Sequence, residues 1–440
     1  MRTFAVLVAA TALVALAGCV SRHAPVSPVS APPAAALRVG TSGDYAPFSV
    51  LAADGTLGGF DVEIARAYAA DRGRALVLVP FRWPELATRL AAGDFDVVMS
   101  GVTVRPDRLV TGIMTATVAR AEAVLAVVAS APSGAGGTDF DRPQRTIAVN
   151  RGGHLEQVAR ARFPRARLVP VDDNASLPAL LARREADAIV TDTLELAAFN
   201  ARCVADATSD ATPCLRVADR LARDRKAYWL PLSQAALAAD LDLWLLARER
   251  SGWLPDHRAR VLGDAEAVPL DAPLAALIEH VRRRLSLMPA VAAAKRVAGL
   301  PIEDRTREAA VARAAAARAT AAGLDTPSFV GFVRREIAAA KAIQRAAPAN
   351  APAPFTLDEL RRAIDRLDAR IVAELGGLAP VAASADSIAA ALASDDVPAL
   401  TRDVARGLAR ALAGVHRQAD VFSTGRAAGA GGIVSVGVSG

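Results

Sequence analysis

Residues 95–108 read FDVVMSGVTVRPDR, and this stretch indicates the fold class of the first half of the chain. Its apolar portion, Asp96–Met99, is typical of a short buried strand. A turn rich in serine, threonine and arginine follows at once, which predicts polar side chains at the end of that strand.

Similar short runs recur on both sides of this stretch and alternate with helical patterns from Leu37 to about Asp264. Further strands are predicted at Leu37–Gly40, Ala75–Val79, Val124–Val128, Thr146–Val149, Arg167–Val171, Ala188–Val190 and Ala227–Pro231. Helices are predicted at Gly59–Arg72, Trp83–Ala92, His154–Phe163 and Leu177–Arg184. The alternation predicts an α/β unit at residues 37–264 with largely parallel sheets.

The composition changes near Val268. Beyond it the chain is rich in alanine, arginine and leucine, has a helical period and shows no convincing strand. Thr326 before a proline predicts one helix start, and Thr356 with Glu359 predicts a capping box at another. We therefore expect a multidomain chain whose second unit, residues 268–422, is all-α.

The N-terminus has the form of a targeting segment. A short apolar run follows Arg2 and ends in Leu-Ala-Gly-Cys at Cys19, which resembles a bacterial lipobox. We expect a lipoprotein-type signal at 1–19 and a flexible tether at 20–36, with an ordinary cleaved signal as the alternative. Either signal predicts a periplasmic protein, lipid-anchored if Cys19 is modified. The Gly-rich tail at 423–440 is expected to be disordered.

The three cysteines fit an oxidising compartment. If Cys19 carries lipid, Cys203 and Cys214 remain as a pair, and we predict a disulfide between them. A metal site built on two lone cysteines is improbable. No cluster of histidine, cysteine and carboxylate side chains suggests a metal or an organic cofactor.

The charge balance argues against a nucleic-acid partner. The 440 residues hold 52 Lys+Arg against 46 Asp+Glu, a formal net charge of +6, without a long basic run. Small acidic ligands fit this balance better.

The first unit resembles periplasmic solute-binding proteins of the amino-acid type along its full length. The resemblance rests on VGTSGDYAPFS at 39–49, GGFDVEIARA at 58–67 and the stretch at 95–108. It implies two α/β lobes with a ligand between them, and it implies that Ser100, Thr103 and Arg108 contact a ligand carboxylate. A guanidinium suits that role because it can donate two parallel hydrogen bonds.

The unit also contains Trp83-Pro84, Asn150-x-Gly152-Gly153, Thr191-Asp192-x-x-Glu195 and Lys226-Ala227-Tyr228. By these residues it resembles, within that superfamily, the periplasmic cyclohexadienyl dehydratases, which act on prephenate or arogenate. The resemblance implies that Glu195 is the general acid, which a departing hydroxyl requires. It also implies substrate contacts at Trp83, Ser100, Thr103, Arg108, Asn150, Gly152, Gly153, Asp192 and Lys226, with the two glycines offering backbone amides to an anion. Asp192 also stands where amino-acid binders grip an ammonium group, so a transport-type binding domain remains the alternative.

The second unit contains RLSLMPAVAAAKRVAGLPIEDRTRE at 284–308. Arg284 and Lys295 are eleven residues apart, close to three helical turns, so both can point to one side. This spacing fits a solvated basic face, and it also fits a pocket for an anion.

Residues 268–420 resemble the secreted, all-helical chorismate mutases, which share the LPIED turn at Leu300. That resemblance implies a carboxylate-binding role for Arg284, Arg307 and Arg361. It implies that Lys295 and Gln344 reach the ether oxygen of chorismate, and that Asp304 and Glu308 contact its hydroxyl side. Because glutamine donates a hydrogen bond at any pH, a broad pH optimum is expected. A helical interaction or dimerisation module, in a homodimer, is the alternative.

Together the two resemblances imply an exported bifunctional enzyme that converts chorismate to prephenate and then to phenylpyruvate. The rival interpretation is a lipid-anchored amino-acid-type solute-binding protein with a helical mutase or partner-binding domain.

Overall fold

The computed structural model describes residues 36–131, 137–205, 214–263, 272–393, 397 and 400–418. Cys19, nearly all of the tether and the tail at 423–440 lie outside these ranges, as does the expected boundary between the two units. Among the described helices, none combines the length and the hydropathy that a bilayer span requires.

Thirteen strands occur in the described ranges. In chain order they are β1 (Leu37–Thr41), β2 (Asp44–Tyr45), β3 (Ser49–Leu51), β4 (Leu57–Gly58), β5 (Leu76–Pro80), β6 (Val97–Val98), β7 (Gly112–Met114), β8 (Ala119–Val128), β9 (Thr146–Asn150), β10 (Arg167–Val171), β11 (Ala188–Asp192), β12 (Leu215–Lys226) and β13 (Trp229–Pro231).

Sixteen α-helices accompany them. They are α1 (Phe60–Asp71), α2 (Leu86–Ala92), α3 (Pro106–Thr111), α4 (Gly137–Phe140), α5 (His154–Arg162), α6 (Leu177–Ala182), α7 (Thr193–Ala205), α8 (Ala235–Arg250), α9 (Trp253–Leu262), α10 (Ala272–Ser286), α11 (Met288–Val297), α12 (Arg305–Ala321), α13 (Thr326–Ala346), α14 (Leu357–Leu378), α15 (Ala385–Leu392) and α16 (Arg402–Ala413).

The α/β unit has two lobes, each built on a five-stranded sheet. Lobe 1 has the strand order β5-β1-β6-β13-β7, and lobe 2 has the order β10-β9-β11-β8-β12. A small third sheet, β2-β3-β4, joins lobe 1. The two-lobed α/β expectation is therefore confirmed for this part of the chain.

Two adjacent segments connect the lobes. The chain leaves lobe 1 between β7 and β8 and returns between β12 and β13, and the segments are hydrogen-bonded to each other. Thr115 N donates to Tyr228 O at 3.0 Å, and Val118 N donates to Lys226 O at 2.8 Å. Lys226 therefore sits on the connection that any movement of the lobes must bend.

The sheets are mixed, which corrects the expectation of largely parallel pairing. β1 pairs in parallel with β5 and β6, whereas β13 runs antiparallel to β6 and β7. In lobe 2, β8 is antiparallel to both β11 and β12. The strand that follows each crossing between the lobes, β8 in lobe 2 and β13 in lobe 1, runs antiparallel to its neighbours. The local sequence pattern carries no information about strand direction.

Most predicted elements occur with shifted ends, and five strands were missed, namely β2, β3, β4, β7 and β12. β12 spans twelve residues, LRVADRLARDRK, and pairs with β8 through two register irregularities. Its charges interrupt the alternation of apolar residues that marks a strand. The predicted helix at Trp83 begins as a 3-10 turn at Trp83–Glu85.

From residue 272 onward, helices joined by loops make up the described chain, apart from one isolated β-bridge between Leu324 and Arg417. α14 buries one stripe with helical spacing, formed by Leu360, Ala363, Leu367, Ile371 and Leu375. The predicted capping box of Thr356 and Glu359 is present at its start. α10 packs along α14, and α13 packs against α11, α12 and α16.

The helical unit docks on lobe 1. α10 contacts α3 and α8, and α14 contacts α3, so one hydrophobic core runs through both units. Arginines join the units as well. Arg283 Nη1 donates to Met114 O at 3.1 Å, and Arg370 Nη1 lies 2.8 Å from Asp242 Oδ2.

Candidate functional sites

A closed cleft lies between the lobes, at the carboxyl ends of β1, β6, β9 and β11, where ligands bind in open α/β sheets. Its walls are Tyr45, Trp83, Gly101, Thr103, Arg108, Asn150, Gly153, His154, Leu155 and Asn174. The remaining space is about 20 Å³, room for about one water molecule. The lobes are therefore closed on each other, and a larger ligand requires them to open.

Glu195, in the first turn of α7, is fully buried and does not itself line the cleft, but it contacts the lining residue Asn174. Asn174 Nδ2 donates to its Oε1 at 2.8 Å, and Thr191 Oγ1 donates to its Oε2 at 2.6 Å. Burial first, and then the neighbouring Asp192 carboxylate, raises the pKa of Glu195 well above its ordinary value. Burial therefore favours the protonated form of Glu195 over the carboxylate.

Lys226 is the centre of a buried polar cluster that spans the lobes. Its Nζ lies 3.0 Å from Asp192 Oδ2 and 2.7 Å from Asp224 Oδ2, and it donates to Tyr45 Oη at 2.8 Å. Tyr45 in turn donates to Asp192. Burial opposes the charge of Lys226, but the two carboxylates raise its pKa above the ordinary value. The lysine is therefore a permanent cation.

Both carboxylate oxygens of Asp192 have hydrogen-bond or ion-pair partners within the protein. Besides Lys226 and Tyr45, it accepts hydrogen bonds at Oδ1 from the backbone amides of Leu194 and Glu195, at 3.0 and 2.9 Å. An ammonium group of a ligand could reach this carboxylate only by displacing Lys226. This arrangement disfavours the amino-acid-binding role of Asp192.

Arg108 and Thr103 approach the cleft from lobe 1. The buried Arg108 guanidinium donates to Thr103 O at 2.7 Å and lies over the Trp229 ring, while Thr103 Oγ1 lies 3.2 Å from Lys226 Nζ. Ser100 is not in the cleft wall. Its hydroxyl lies 2.8 Å from Ser42 Oγ and accepts from Ser42 N, so it serves the loop after β1 in this closed state.

The glycine turn after β9 was expected to offer the backbone amides of Gly152 and Gly153 to an anion, and the structure differs from this at Gly152. The Gly152 amide donates to Glu156 Oε2 at 2.6 Å and is not offered to an anion in the cleft. Gly152 has φ +76°, and a Cβ there would come within 2.9 Å of the Pro84 backbone across the cleft. Only glycine permits this close approach of the lobes. Gly153 does line the cleft.

Three polar side chains of lobe 2 hold unpaired buried atoms at the cleft, counted among the described residues. They are Asn150 Nδ2, Asn174 Oδ1 and both ring nitrogens of His154. Trp83 is better satisfied, since its Nε1 donates to Asp44 Oδ1 at 3.2 Å. Unpaired buried polar groups are costly, so their concentration here indicates a polar ligand.

A second cavity, of about 360 Å³, lies within the helical unit. All seven residues expected there line it: Arg284, Lys295, Asp304, Arg307, Glu308, Gln344 and Arg361. We call it the helical cavity. Elements α10 to α14 contribute to it, so helices distant in sequence bring these side chains together.

Arg284 is held in place by internal carboxylates. Its Nε lies 2.6 Å from Asp368 Oδ1 and 3.8 Å from Glu336 Oε2, while its buried Nη1 has no hydrogen-bond partner among the described residues. Burial raises the pKa of Glu336 to about 7. A titrating carboxyl thus lies beside the arginine, which weakens the expectation of a broad pH optimum.

The other expected residues have mixed roles. Lys295 Nζ donates to Ile302 O at 2.8 Å, and Glu308 pairs with Lys341 at 3.0 Å. Asp304 is the N-cap of α12 and accepts from the Arg307 amide at 2.9 Å, so part of its function is structural.

Gln344 is buried, and its Oε1 has no partner in the part of the chain that the structure describes. Its Nε2 lies 3.5 Å from Met288 Sδ, a weak acceptor. Arg361 pairs with the exposed Asp358 at 2.9 Å. Both side chains are therefore free to exchange these partners for a ligand.

The helical cavity also contains residues that sequence reasoning missed. Six cationic side chains and four carboxylates line it, which leaves two positive charges in excess. The additional ones are Arg318, Lys341, Asp365 and Asp368. Arg318 follows Arg307 by eleven residues, the same spacing that singled out Arg284 and Lys295, so this signal was present in the sequence.

The predicted cysteine pair forms a disulfide in the structure, Cys203–Cys214. It connects the end of α7, the helix of Glu195, to the start of β12, the strand of Lys226. Within the described ranges, no group of three metal-binding side chains occurs.

Comparison with known proteins gives consistent matches. The family model of bacterial extracellular solute-binding proteins, family 3, matches residues 37–410. A cyclohexadienyl dehydratase of Pseudomonas aeruginosa is 32% identical over 228 residues, which cover 50% of this chain and 79% of that protein. A probable histidine-binding protein of Neisseria gonorrhoeae is 33% identical over 99 residues, 22% of this chain and 37% of that protein. The crystal structure of an ancestral amino acid-binding protein, a precursor of cyclohexadienyl dehydratase, is 27% identical with a TM-score of 0.47, and covers 52% of this chain and 95% of that chain.

Proposed function

The chain belongs to the bacterial extracellular solute-binding proteins, family 3, and from this membership we propose that it is an exported bifunctional enzyme. Its helical unit rearranges chorismate to prephenate, and its α/β unit converts prephenate to phenylpyruvate. Similarity to a cyclohexadienyl dehydratase over most of that protein's length supports the second activity. The charge excess of the helical cavity supports the first.

The fully buried Glu195 carboxyl, held by Asn174 and Thr191, is the observation on which the dehydratase proposal rests. In the reaction the ring carboxylate leaves as carbon dioxide, and the electron pair of the broken bond moves into the ring. The hydroxyl on the opposite ring carbon departs as water, which requires a proton. Burial raises the pKa of Glu195 well above its ordinary value and so favours the form that can donate this proton, and the closed lobes exclude bulk water.

Fixed cations in the cleft suit the two carboxylates of prephenate. Arg108 is buried at one wall and Lys226 stands opposite Glu195 on the connection between the lobes. Substrate binding would open the cleft and exchange the Tyr45 contacts of Lys226 for a substrate carboxylate. The unpaired atoms of Asn150, Asn174 and His154 would then gain partners.

The helical cavity suits a dianion that reacts without a nucleophile. A pericyclic rearrangement needs the reactive conformer to be held and the charge on the breaking ether bond to be stabilised. Arg307 has no side-chain partner in the described residues, and Arg284 has a free buried Nη1, so both can bind carboxylates. Lys295 and Gln344 would donate to the ether oxygen.

The proposed location is the periplasm, with a lipid anchor at Cys19 and the residues that follow as a tether. Membership of an extracellular family supports export. Neither reaction requires a cofactor.

Ultraviolet assays of the purified full-length protein test both activities. We expect chorismate to be consumed and phenylpyruvate to form from added prephenate. Unchanged chorismate would remove the mutase, and absence of phenylpyruvate from prephenate would remove the dehydratase. Replacing prephenate by arogenate measures the preference between the two substrates.

The alternative is an amino-acid-binding protein with a helical partner domain, and the similarity to a probable histidine-binding protein favours testing it. Calorimetric titration with amino acids distinguishes the two. Tight amino-acid binding without prephenate turnover would support the alternative, although Asp192 would first have to release Lys226.

A further inference from the structure

A third cavity adjoins the closed cleft on the side that faces the helical unit. Its volume is about 350 Å³, and it shares Thr103 and His154 with the cleft as a common wall. Lobe 1, α5 of lobe 2, β12 and α10 all contribute to it. We call it the boundary cavity.

The boundary cavity carries an excess of positive charge. Its charged lining consists of Arg105, Arg223, Arg225, Arg283, Asp107 and Glu279. Asp107 pairs with Arg105 at 2.7 Å, while Glu279 is shared by Arg283 at 3.0 Å and Arg225 at 3.2 Å. Four guanidinium groups and two carboxylates therefore line this cavity.

Several buried donors in this cavity lack a protein partner among the described residues. The Arg283 side chain is 2% exposed, and its Nη2 has no hydrogen-bond partner. Arg105 Nη1 also has no partner, and neither ring nitrogen of His154 has one; the neutral imidazole carries a proton on one of these nitrogens. A desolvated cation with an unmet donor is costly unless an anion completes its bonding. The cavity therefore has both the charge and the donors of an anion site.

We propose that the boundary cavity is a second anion-binding site. It binds the dicarboxylate substrate of the α/β unit first, and the substrate then moves past His154 into the cleft. This inference rests on the proposed dehydratase activity. The position of the boundary cavity fits the transfer of a product from the helical unit to the α/β unit, because α10 borders the helical cavity and the boundary cavity. Arg284 of that helix lines the helical cavity, and the adjacent Arg283 lines the boundary cavity.

The test compares two arginines of β12 in the full-length protein. Arg223 is exposed and lines the boundary cavity, so Arg223→Gln removes a charge without disturbing the core. Arg220→Gln removes the same charge three residues away, where the side chain pairs with Glu122 outside the cavity. Chorismate turnover by each variant reports that the protein is folded.

We expect Arg223→Gln to lower kcat/KM for prephenate by roughly three- to tenfold through KM, with kcat unchanged. The dependence of kcat/KM on salt should also become shallower, because fewer charges attract the substrate. Arg220→Gln should match the wild type in both respects.

Two results would contradict the proposal that the boundary cavity binds the substrate. One is equal kcat/KM and salt dependence for Arg223→Gln and Arg220→Gln, and the other is a loss confined to kcat. Either would leave the dehydratase proposal standing. No prephenate turnover by the wild type would instead overturn the proposed function, and this inference with it.

Discussion

Lys295→Ala is the sharpest test of the helical cavity. Lys295 is half-buried near the end of α11, and its ammonium group makes one hydrogen bond, to Ile302 O at 2.8 Å. Losing that bond costs about 1 kcal/mol of folding free energy, and truncating a partly exposed side chain adds little. The variant should therefore fold, and any loss of activity reflects the missing charge.

The expected loss of chorismate turnover follows from the charge of Lys295 and from its partial exposure to water. A cation about 4 Å from the charge that develops on the ether oxygen is worth about 4 kcal/mol at an effective dielectric constant of about 20. Each 1.4 kcal/mol is about tenfold in rate, so full loss corresponds to about 10³-fold. Because Lys295 is only half-buried, water screens part of this interaction. We expect chorismate turnover to fall by about 10²- to 10³-fold.

The assay follows chorismate loss by ultraviolet absorbance and prephenate turnover on the same preparation. Arg296→Ala is the matched control, since its neighbouring guanidinium donates to Ala349 O and Pro348 O, and it does not line the cavity. Prephenate turnover should be unchanged in both variants. If Lys295→Ala retains chorismate turnover within about twofold of the control, the assignment of this cavity to the mutase reaction is wrong.

Three further predictions concern the cleft, pH and stability. Glu195→Gln should slow phenylpyruvate formation from prephenate by about 10²- to 10⁴-fold and leave chorismate loss intact; equal rates would exclude a general acid at this position. The Glu336 pKa of about 7 means that the carboxyl ionises as pH rises through neutrality and competes for Arg284, so KM for chorismate should rise there. Glu336→Gln should flatten that profile, and a flat wild-type profile would contradict the assignment. Replacing Cys203 and Cys214 by serine should lower the free energy of unfolding by about 2–3 kcal/mol, measured by urea denaturation, and an unchanged midpoint would contradict a stabilising bridge.

The resemblance to the helical mutases named seven residues, and all of them line the helical cavity. Sequence reasoning from spacing alone left a solvated basic face open, and Arg284 and Lys295 lie on two consecutive helices, α10 and α11. Sequence reasoning missed Glu336 and Asp368 because their influence on Arg284 depends on how α10, α13 and α14 pack. Such packing is not encoded in the period of any one helix.

In the cleft, sequence reasoning named Glu195, Asp192 and Lys226 but did not assign their partners. Tyr45 and Asp192 are 147 residues apart, and Lys226 contacts both. The contact of Ser100 with Ser42, 58 residues away in the chain, is likewise an effect of proximity in space. The hydrogen bond from the Gly152 amide to Glu156 is local in the chain, and sequence reasoning did not anticipate it.

The amino-acid sequence alone determined the α/β and all-helical halves, the capping box of α14 and the residue types available for chemistry; at α13 the N-cap is Asp325, one residue before the predicted Thr326. These properties depend on short-range periodicity and on the composition of single elements. Only the tertiary structure decided which charges are buried together, and therefore which carboxyls keep a proton. It also brought α10 against lobe 1 and so created the boundary cavity. Electrostatic free energy depends on distance and desolvation between groups far apart in the chain, and a linear sequence contains neither quantity.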